Sequence, residues 1–428
     1  MQAENTPALS PDSLIKDELQ EQAVTLCCST ENRIASVTGQ AGTGKTTIMK
    51  RVYNAFIDAG HNVALAAPTG KAAKRISEAT GIPATTLHRL LEFTHPGDPD
   101  EKTGKPVGVS MPRRNRMNRL EPTVILIDES SMINQALFRD IMDAIPNGGL
   151  VRMFGDANQL PPIEEREADK ALPPPFTKML KEFPAVKLTN IYRQGEGSGI
   201  VKNAHRILNG WVPQNMDDFR LVIGRPQLPR EVMSIVASGE ADFYTLDNQI
   251  ITPTNKGWIG QVQLNQALQK QRWGDTLRDA VLMPRSKWDK TDLFLREGDK
   301  VIWKKNDYNL EIFNGETGLV KSLGGDCVTV DFGDRIVDVP PWIEYTDPNG
   351  DIKGYDPRVN IHLAYALTTH ACQGSEYGHV IYVMDQSCFM LLQRNNFYTA
   401  VTRGRKKDWI VTDQRALQRS VVNTQSKF

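Results

Sequence analysis

A chain of 428 residues is too long for one compact core, and its length suggests about three domains. Hydrophobic residues make up 40% and charged residues 24%, which is typical of a globular protein and excludes a disordered or fibrous chain. Lys plus Arg and Asp plus Glu each number 51, so the overall charge indicates no polyanionic partner, and nucleic-acid binding would need a local surface.

Membrane and export segments are not indicated. The longest apolar runs, such as 124–127, are far shorter than the roughly 20 residues of a membrane span, and the polar N-terminus lacks the pattern of a secretory signal. The five cysteines are scattered without a CxxC pair, which argues against a disulfide framework and a zinc site. We therefore expect a cytoplasmic protein with a flexible tail at 1–14.

The first chemical pattern is a strand, a glycine-rich loop and a helix. The apolar run 34–38 predicts a buried strand, 39–46 fits GxxxxGK[ST], and 47–59 predicts a helix. Glycines let backbone NH groups wrap phosphate oxygens at the positive end of the helix dipole, and a plain glycine-rich turn is the weaker alternative. Lys45 would neutralise the outer phosphates, and the Thr46 hydroxyl can ligate Mg²⁺. The nucleotide-binding residues of this pattern are Gly39, Gly42, Thr43, Gly44, Lys45, Thr46 and Thr47.

Two acidic residues follow the apolar strand 123–127. Asp128 would hold Mg²⁺, and Glu129 could polarise the attacking water as a general base. Because Asp-Glu-Ser-Ser also resembles a helix start, a helix cap is the alternative. With the phosphate loop upstream, the pair predicts the second half of an NTPase site.

Four later segments decide the class of NTPase. They read GDANQL at 155–160, LTNIYRQ at 188–194, LAYALTTHACQGSE at 363–376 and YTAVTRGR at 398–405. Their content and order resemble the motifs of superfamily 1 DNA helicases, and the third segment is similar to the RecD-like and Dda-like branch. The resemblance spans roughly residues 15–412, and motif order makes it more specific than any single motif.

The resemblance implies roles around the nucleotide. Gln159 would sense the γ-phosphate, while Arg193 and Arg403 would stabilise charge on the transferring phosphoryl group from the far side of a cleft. Closure of that cleft would then be both the condition for hydrolysis and the mechanical stroke. The catalytic residues predicted in this way are Lys45, Glu129, Gln159, Arg193 and Arg403.

Three further nucleotide contacts are implied by the resemblance. Gln22, within LQEQ, would read the adenine edge and favour ATP, although a solvated helix face is the competing interpretation. Gly374 and Glu376 would couple the DNA track to the nucleotide. The predicted cofactors are therefore ATP and Mg²⁺, with Thr46 and Asp128 as metal ligands.

Predicted DNA contacts come from both halves of the chain. At 67–73, a hydroxyl at a helix start followed by Lys71 suits phosphate binding, although a plain capped helix fits the same residues. Phe93 is a candidate wedge at the duplex fork because aromatic rings stack on bases, but a core position is equally compatible. The DNA-binding residues predicted from pattern and resemblance are Pro68, Thr69, Lys71, Thr86, His88, Phe93, Thr368 and His370.

Alternating strands and helices at 30–195 predict a parallel α/β sheet with ligands at its carboxyl edge. Apolar runs at 249–253, 363–368, 379–384 and 409–412 predict a second core without its own phosphate loop. The expected fold is α/β, with two RecA-like parallel-sheet cores at 15–190 and 191–428. Each carries a small β insertion: a wedge element at about 90–120, rich in arginine, and a small β-barrel at about 296–345.

The sequence thus predicts an ATP-dependent helicase that moves 5′ to 3′ on single-stranded DNA, with the polarity implied by the resemblance alone. Expected partners are single-stranded DNA, forked duplex DNA, and single-stranded-DNA-binding or replication proteins. We expect a monomer in the cytoplasm of a bacterial cell or a phage-infected host. Two alternatives stay open: a translocase that displaces bound proteins, and an ATP-regulated DNA clamp without significant unwinding.

Overall fold

The structure is a computed structural model. It describes residues 17–94, 110–192, 197–224, 228–275, 279–284, 292–307, 309–324, 327–346 and 351–424. Within these ranges, no helix combines the length and the apolar character that crossing a bilayer requires. The described chain contains two parallel sheets and, between strands of the second, an antiparallel insertion.

The first core is a six-stranded sheet in which all neighbouring strands are parallel, in the order β3-β2-β4-β5-β1-β6. Its strands are β1 (Ile34–Gly39), β2 (Val63–Ala67), β3 (Ala84–Thr86), β4 (Val124–Ile127), β5 (Leu150–Gly155) and β6 (Ala185–Leu188). The central strands β4 and β5 are buried along their whole length, since apolar clusters cover both faces of the sheet. The predicted first RecA-like core is therefore confirmed as a parallel α/β sheet.

The first core has one helix before β1 and further helices between its strands. They are α1 (Glu18–Cys28), α2 (Lys45–Asp58), α3 (Gly70–Thr80), α4 (Leu87–Leu90), α5 (Gln135–Ala144), α6 (Glu167–Lys170) and α7 (Pro175–Glu182). Side-chain caps fix where several of them begin. Thr69 accepts a hydrogen bond from Ala72 N (3.2 Å) at the start of α3, which ends at Gly81 with φ 73°.

The remaining helices and strands follow in chain order. The helices are α8 (Gly199–Leu208), α9 (Leu228–Ala237), α10 (Gln261–Trp273), α11 (Arg394–Val401) and α12 (Gln414–Val422). The strands are β7 (Phe219–Ile223), β8 (Asn248–Thr252), β9 (Val281–Leu282), β10 (Phe294–Leu295), β11 (Lys300–Trp303), β12 (Thr317–Gly324), β13 (Cys327–Asp331), β14 (Ile336–Val339), β15 (Ile343–Thr346), β16 (Ile352–Tyr355), β17 (Ile361–Leu363), β18 (Ala366–Thr368), β19 (Tyr377–Met384) and β20 (Gly404–Thr412).

The second core is a five-stranded parallel sheet in the order β18-β8-β19-β20-β7. Four of its strands lie at predicted apolar runs, and the structure adds β7 at one edge. Its apolar cluster is continuous with that of the insertion, because residues of β11, β12 and β13 pack in the same cluster as those of β8 and β19. The second core and the insertion therefore share one hydrophobic interior.

The insertion is a five-stranded antiparallel sheet in the order β14-β13-β12-β11-β17, with a separate hairpin of β15 and β16. In the described residues this sheet is open, with β14 and β17 at its edges, instead of the closed barrel that we expected. Its fifth strand lies beyond the predicted boundary at 345.

The apolar run at 363–368 is divided between two sheets, so its prediction as one strand is wrong. Leu363 ends β17 in the insertion, and Ala366 begins β18 in the second core. Asn265 of α10 stabilises the break, since its amide donates to the carbonyls of Leu363 (3.1 Å) and Ala366 (3.0 Å). Its Oδ1 accepts from Ala366 N (2.8 Å).

The predicted wedge element lies mostly outside the described residues, which omit 95–109. Its base is an antiparallel bridge between Phe93 and Pro112. Next to this bridge, Thr94 N donates to the carbonyl of Met111 (2.8 Å). The two ends of the insertion are therefore held together where they leave the first core.

Candidate active site between the two cores

The phosphate loop joins β1 to α2. Gly42 and Gly44 have φ of 83° and 87°, a left-handed conformation that glycine adopts without strain. Lys45 Nζ donates to the carbonyls of Gly39 (2.7 Å) and Gln40 (2.9 Å). The loop thus holds an ammonium group at the N-terminus of α2, where the helix dipole favours an anion.

A cavity of about 340 Å³ opens beside this loop, and we call it the cleft cavity. Among the described residues its walls are formed by Ala41, Gly42, Gly44, Lys45, Thr46, Thr47, Arg75, Asp128, Glu129, Gln159, Tyr192, Glu376 and Arg403. Two predicted residues shape the loop instead of lining the cavity. Thr43 Oγ1 donates to Gln40 O (2.9 Å), and Gly39 leaves room for that hydroxyl, because a Cβ would lie 2.6 Å from it.

The acidic pair occupies the carboxyl end of β4. Asp128 Oδ1 accepts from Glu129 N (2.9 Å), and Glu129 has φ 49°, a strained conformation that is uncommon outside functional sites. Burial and the neighbouring Glu129 raise the pKa of Asp128 to about 6, although Lys45 opposes the shift. Two adjacent carboxylates and the Thr46 hydroxyl in one cavity are oxygen donors of the kind that Mg²⁺ prefers.

Gln159 reaches the cavity from the turn after β5. Its side chain is buried, and its Oε1 has no hydrogen-bond donor among the described residues. Because buried polar atoms in proteins are nearly always paired, an unsatisfied amide in a cavity wall is a group that a ligand or water can complete.

Arg403 enters the cavity from the second core. The residue is 2% exposed, and its guanidinium is fixed by three acceptors: Thr399 O (3.0 Å), Ser375 O (3.1 Å) and Thr402 Oγ1 (3.1 Å). A permanently charged, planar group is therefore held opposite the phosphate loop of the other core.

Arg193 lies outside the described residues, so its role stays a prediction. The preceding residue, Tyr192, lines the cleft cavity. Its backbone N donates to Gly42 O (2.8 Å), and its hydroxyl donates to Asp17 Oδ2 (2.6 Å). The segment that leads to Arg193 is thereby anchored on the phosphate loop.

The structure contradicts the placement expected for Gln22. Gln22 is exposed and its amide lies 3.5 Å from Glu18 on the same helix. Gln20 faces the loop instead: its Nε2 donates to Thr43 O (3.1 Å), and a Cβ at Gly44 would lie 2.4 Å from that nitrogen. Gln20 therefore replaces Gln22 as the glutamine of α1 next to the nucleotide site.

Side chains of α11 tie the two cores together at the turn after β5. Tyr398 OH donates to Asp156 Oδ2 (2.6 Å), and Thr399 Oγ1 accepts from Leu160 N (2.9 Å). From the segment after β18, Gln373 Nε2 donates to Leu160 O (3.0 Å). Burial and the nearby Asp156 raise the pKa of Tyr398 well above its usual range, so it remains a neutral donor.

The predicted DNA contacts at the start of α3 lie at the junction of the two cores. Pro68 is half-buried, and the Thr69 hydroxyl caps α3, as the capped-helix alternative requires. The Lys71 ammonium lies 5.3 Å from the centre of the Tyr377 ring, and burial lowers the pKa of Lys71. Gly374, expected at the nucleotide, instead lies against α3, since a Cβ there would be 3.7 Å from Thr69 Oγ1.

The other predicted DNA contacts of the first core surround α4. Thr86 caps this helix by accepting from Arg89 N (3.1 Å). The rings of His88 and Phe93 lie 4.7 Å apart, and burial lowers the pKa of His88. Phe93 also packs against the apolar cluster of the first core, which favours the core interpretation over the wedge.

In the second core, Thr368 and His370 lie just before the turn that approaches α3. Thr368 is buried at the end of β18 and its Oγ1 accepts from Ala371 N (3.3 Å). His370 is half-buried, and burial lowers its pKa.

Besides Gln20, sequence reasoning missed Arg75, Tyr192 and Tyr398. Arg75 lines the cleft cavity from α3 and pairs with Glu376 of the second core at 2.5 Å. Its position four residues after Lys71, on the same face of a helix, was the available signal. Tyr192 and Tyr398 lie inside quoted motifs, but only their arginines were assigned.

A phosphate loop and a carboxylate pair on one parallel sheet, closed by an arginine from a second such sheet, define a P-loop NTPase with two RecA-like cores. A family model described as an AAA domain matches residues 16–220, and a model described as the UvrD-like helicase C-terminal domain matches residues 363–411. These two matches and the relatives below make the chain similar to the superfamily 1 helicases of the RecD-like branch.

Individual relatives support this assignment. The chain is 33% identical over 407 residues to the ATP-dependent RecD2 DNA helicase of Deinococcus radiodurans, covering 93% of this chain and 49% of that relative. It is 26% identical over 440 residues to the RecBCD enzyme subunit RecD of Mycolicibacterium smegmatis, covering 92% of this chain and 70% of that one. The chain therefore spans about half the length of the RecD2 relative.

A solved structure shares the fold. The Pif1 helicase from Bacteroides in complex with ADP-AlF3 and ssDNA superposes with a TM-score of 0.60 at 21% identity, covering 95% of this chain and 94% of that one. This likeness confirms the architecture of two RecA-like cores.

Proposed function

We propose that the protein is an ATP-dependent DNA helicase that moves 5′ to 3′ on single-stranded DNA and unwinds duplex DNA. One observation carries the proposal: the cleft cavity is lined by Lys45 and the Asp128–Glu129 pair of the first core and by Arg403 of the second. Hydrolysis that needs groups from both cores makes cleft closure part of the reaction cycle. The names of the RecD2 and Pif1 relatives support DNA as the track.

The residues that line the cavity would have distinct roles in ATP hydrolysis. ATP with Mg²⁺ would supply the phosphoryl group whose transfer to water releases energy, and Thr46 and Asp128 would hold the metal. Lys45 balances charge on the outer phosphates. Glu129 accepts the proton of the attacking water, and Arg403 stabilises the charge that develops on the far side.

The contacts of α11 with the turn after β5 would carry the state of the nucleotide to the DNA. Gln159 lies in that turn, and the turn is bonded to Tyr398, Thr399 and Gln373 of the second core. The start of α3 and the segment at 368–377 meet at the same interface, where Lys71 suits a phosphate contact. The proposed substrates are single-stranded DNA and forked duplex DNA. The protein would act as a monomer, together with single-stranded-DNA-binding or replication proteins, in a bacterial or phage-infected cell.

Duplexes with one single-stranded tail test the proposal directly. With ATP and Mg²⁺, we expect unwinding of a duplex that carries a 5′ tail and not of one that carries a 3′ tail. Unwinding from the 3′ tail alone would contradict the polarity. Displacement of bound protein without unwinding would identify a translocase, and absence of DNA-stimulated turnover would identify a clamp.

A further inference from the structure

Arg75 lies in the wall of the cleft cavity, although no motif of the chain assigns it a role there. It projects from α3 of the first core, and its Nη2 is 2.5 Å from Oε1 of Glu376, which belongs to the second core. The two side chains are 36% and 12% exposed. This ion pair bridges the two cores at the edge of the proposed ATP site.

The charges of the described residues that line the cavity are balanced. The cations are Lys45, Arg75 and Arg403, and the carboxylates are Asp128, Glu129 and Glu376. Burial would lower the pKa of Arg75, but the nearby carboxylates of Glu376, Glu129 and Asp128 outweigh it and raise that pKa. Without Arg75, this wall would carry an excess negative charge where a polyanion has to bind.

We propose that Arg75 is a positioning residue that offsets the charge of Glu376, so that the second core can close on a polyanionic nucleotide. This inference rests on the proposed function, because it takes a nucleoside triphosphate with Mg²⁺ as the ligand of the cavity. A guanidinium suits the task because it is always charged and has several donors in one plane. In a half-buried cleft such a charge acts more strongly than it would on an open surface.

Contacts between α3 and the insertion hold the helix that carries Arg75, and one of them provides a matched control. The preceding residue, Lys74, pairs with Asp334 of the insertion at 2.7 Å, and its side chain is also 36% exposed. Near the start of α3, Gly70 packs against Phe313, because a Cβ at Gly70 would lie 2.9 Å from that ring. Lys74→Ala therefore removes a comparable ion pair from the same helix without changing the cavity wall.

Four variants of the full chain separate charge compensation from a merely structural role: Arg75→Ala, Arg75→Lys, Lys74→Ala and the double variant Arg75→Ala/Glu376→Gln. The readouts are the Kd of a fluorescent, non-hydrolysable ATP analogue with Mg²⁺, kcat and KM for ATP, and the midpoint of thermal unfolding. We expect Arg75→Ala to weaken analogue binding and raise KM about tenfold or more, equivalent to ~1.4 kcal/mol. Arg75→Lys keeps the charge and most of the affinity, and Lys74→Ala binds as the wild type does.

The double variant is decisive because it restores the balance of charge while removing both partners. We expect the double variant to bind the analogue more tightly than Arg75→Ala does. We also expect the loss of analogue affinity in Arg75→Ala to become smaller at high salt. A double variant weaker than Arg75→Ala, or an Arg75→Ala Kd equal to that of Lys74→Ala, would overturn the inference. If the wild type neither binds the analogue nor hydrolyses ATP, the proposed function itself fails.

Discussion

The hydrogen bond from Tyr398 to Asp156 allows a conservative test of the contact between the two cores. Tyr398→Phe removes one oxygen and keeps the ring, and Asp156 is fully buried in this arrangement. The lost bond is short, at 2.6 Å, and its acceptor is a carboxylate. Such bonds contribute about 1.5–3 kcal/mol, so the equilibrium constant for closing the two cores should fall by a factor of about 10 to 100.

Binding of a ligand that requires the closed state should weaken by up to the same factor. The assay is a titration of a non-hydrolysable ATP analogue with Mg²⁺ and single-stranded DNA present. Tyr382→Phe is the control: Tyr382 is equally buried, but its hydroxyl donates to Asn396 at 3.2 Å within the second core. Equal affinities in the two variants would refute the view that the bond between the cores sets the closing equilibrium.

Further predictions concern the phosphate loop and the acidic pair. Lys45→Ala should abolish ATP turnover and leave part of the DNA affinity. Glu129→Gln should bind ATP without hydrolysing it. Strand-displacement assays in which either variant still unwinds DNA would contradict the assigned roles. Without nucleotide, the Asp128 carboxyl stabilises the fold below its ordinary pKa of 3.8, and this contribution is lost as pH rises through about 6. Asp128→Asn should therefore flatten the pH dependence of the thermal midpoint in this window, and a profile parallel to the wild type would argue against the raised pKa. Gly44→Ala should destabilise the fold by about 1–2 kcal/mol, because φ is 87° and Gln20 Nε2 would lie 2.4 Å from the new Cβ; denaturation curves that coincide with the wild type would count against this.

Local patterns were enough to predict the nucleotide half of the site. The phosphate loop and the acidic pair each depend on a strand that ends at the carboxyl edge of one sheet. Parallel strands bring such ends together, so Lys45 and Asp128 had to meet once the strands were identified. The two parallel sheets could also be predicted, because short apolar runs alternate with helical segments along the chain.

The remaining differences depend on helix phase and on long-range packing. Gln20 and Gln22 are two residues apart, which is about 200° around a helix, so the start of α1 at its Asp17 cap decides which one faces the loop. Lys71 packs on Tyr377 and Arg75 on Glu376, and no pattern near 71–75 can indicate partners some 300 positions away.

The root of the insertion restricts how it can move. Where the chain enters it, the buried Asp299 accepts from Tyr365 OH (2.6 Å) at its exit, and Ala364 N donates to Lys300 O (2.8 Å). Lys300 in turn donates to Asn248 O in β8 (2.6 Å). Both ends of the insertion are therefore fixed next to β8 and β18 in the part of the chain that the structure describes. A rotation of the second core would carry the insertion with it, and would therefore have to change the contacts that the insertion makes with Lys74 and Gly70 of α3.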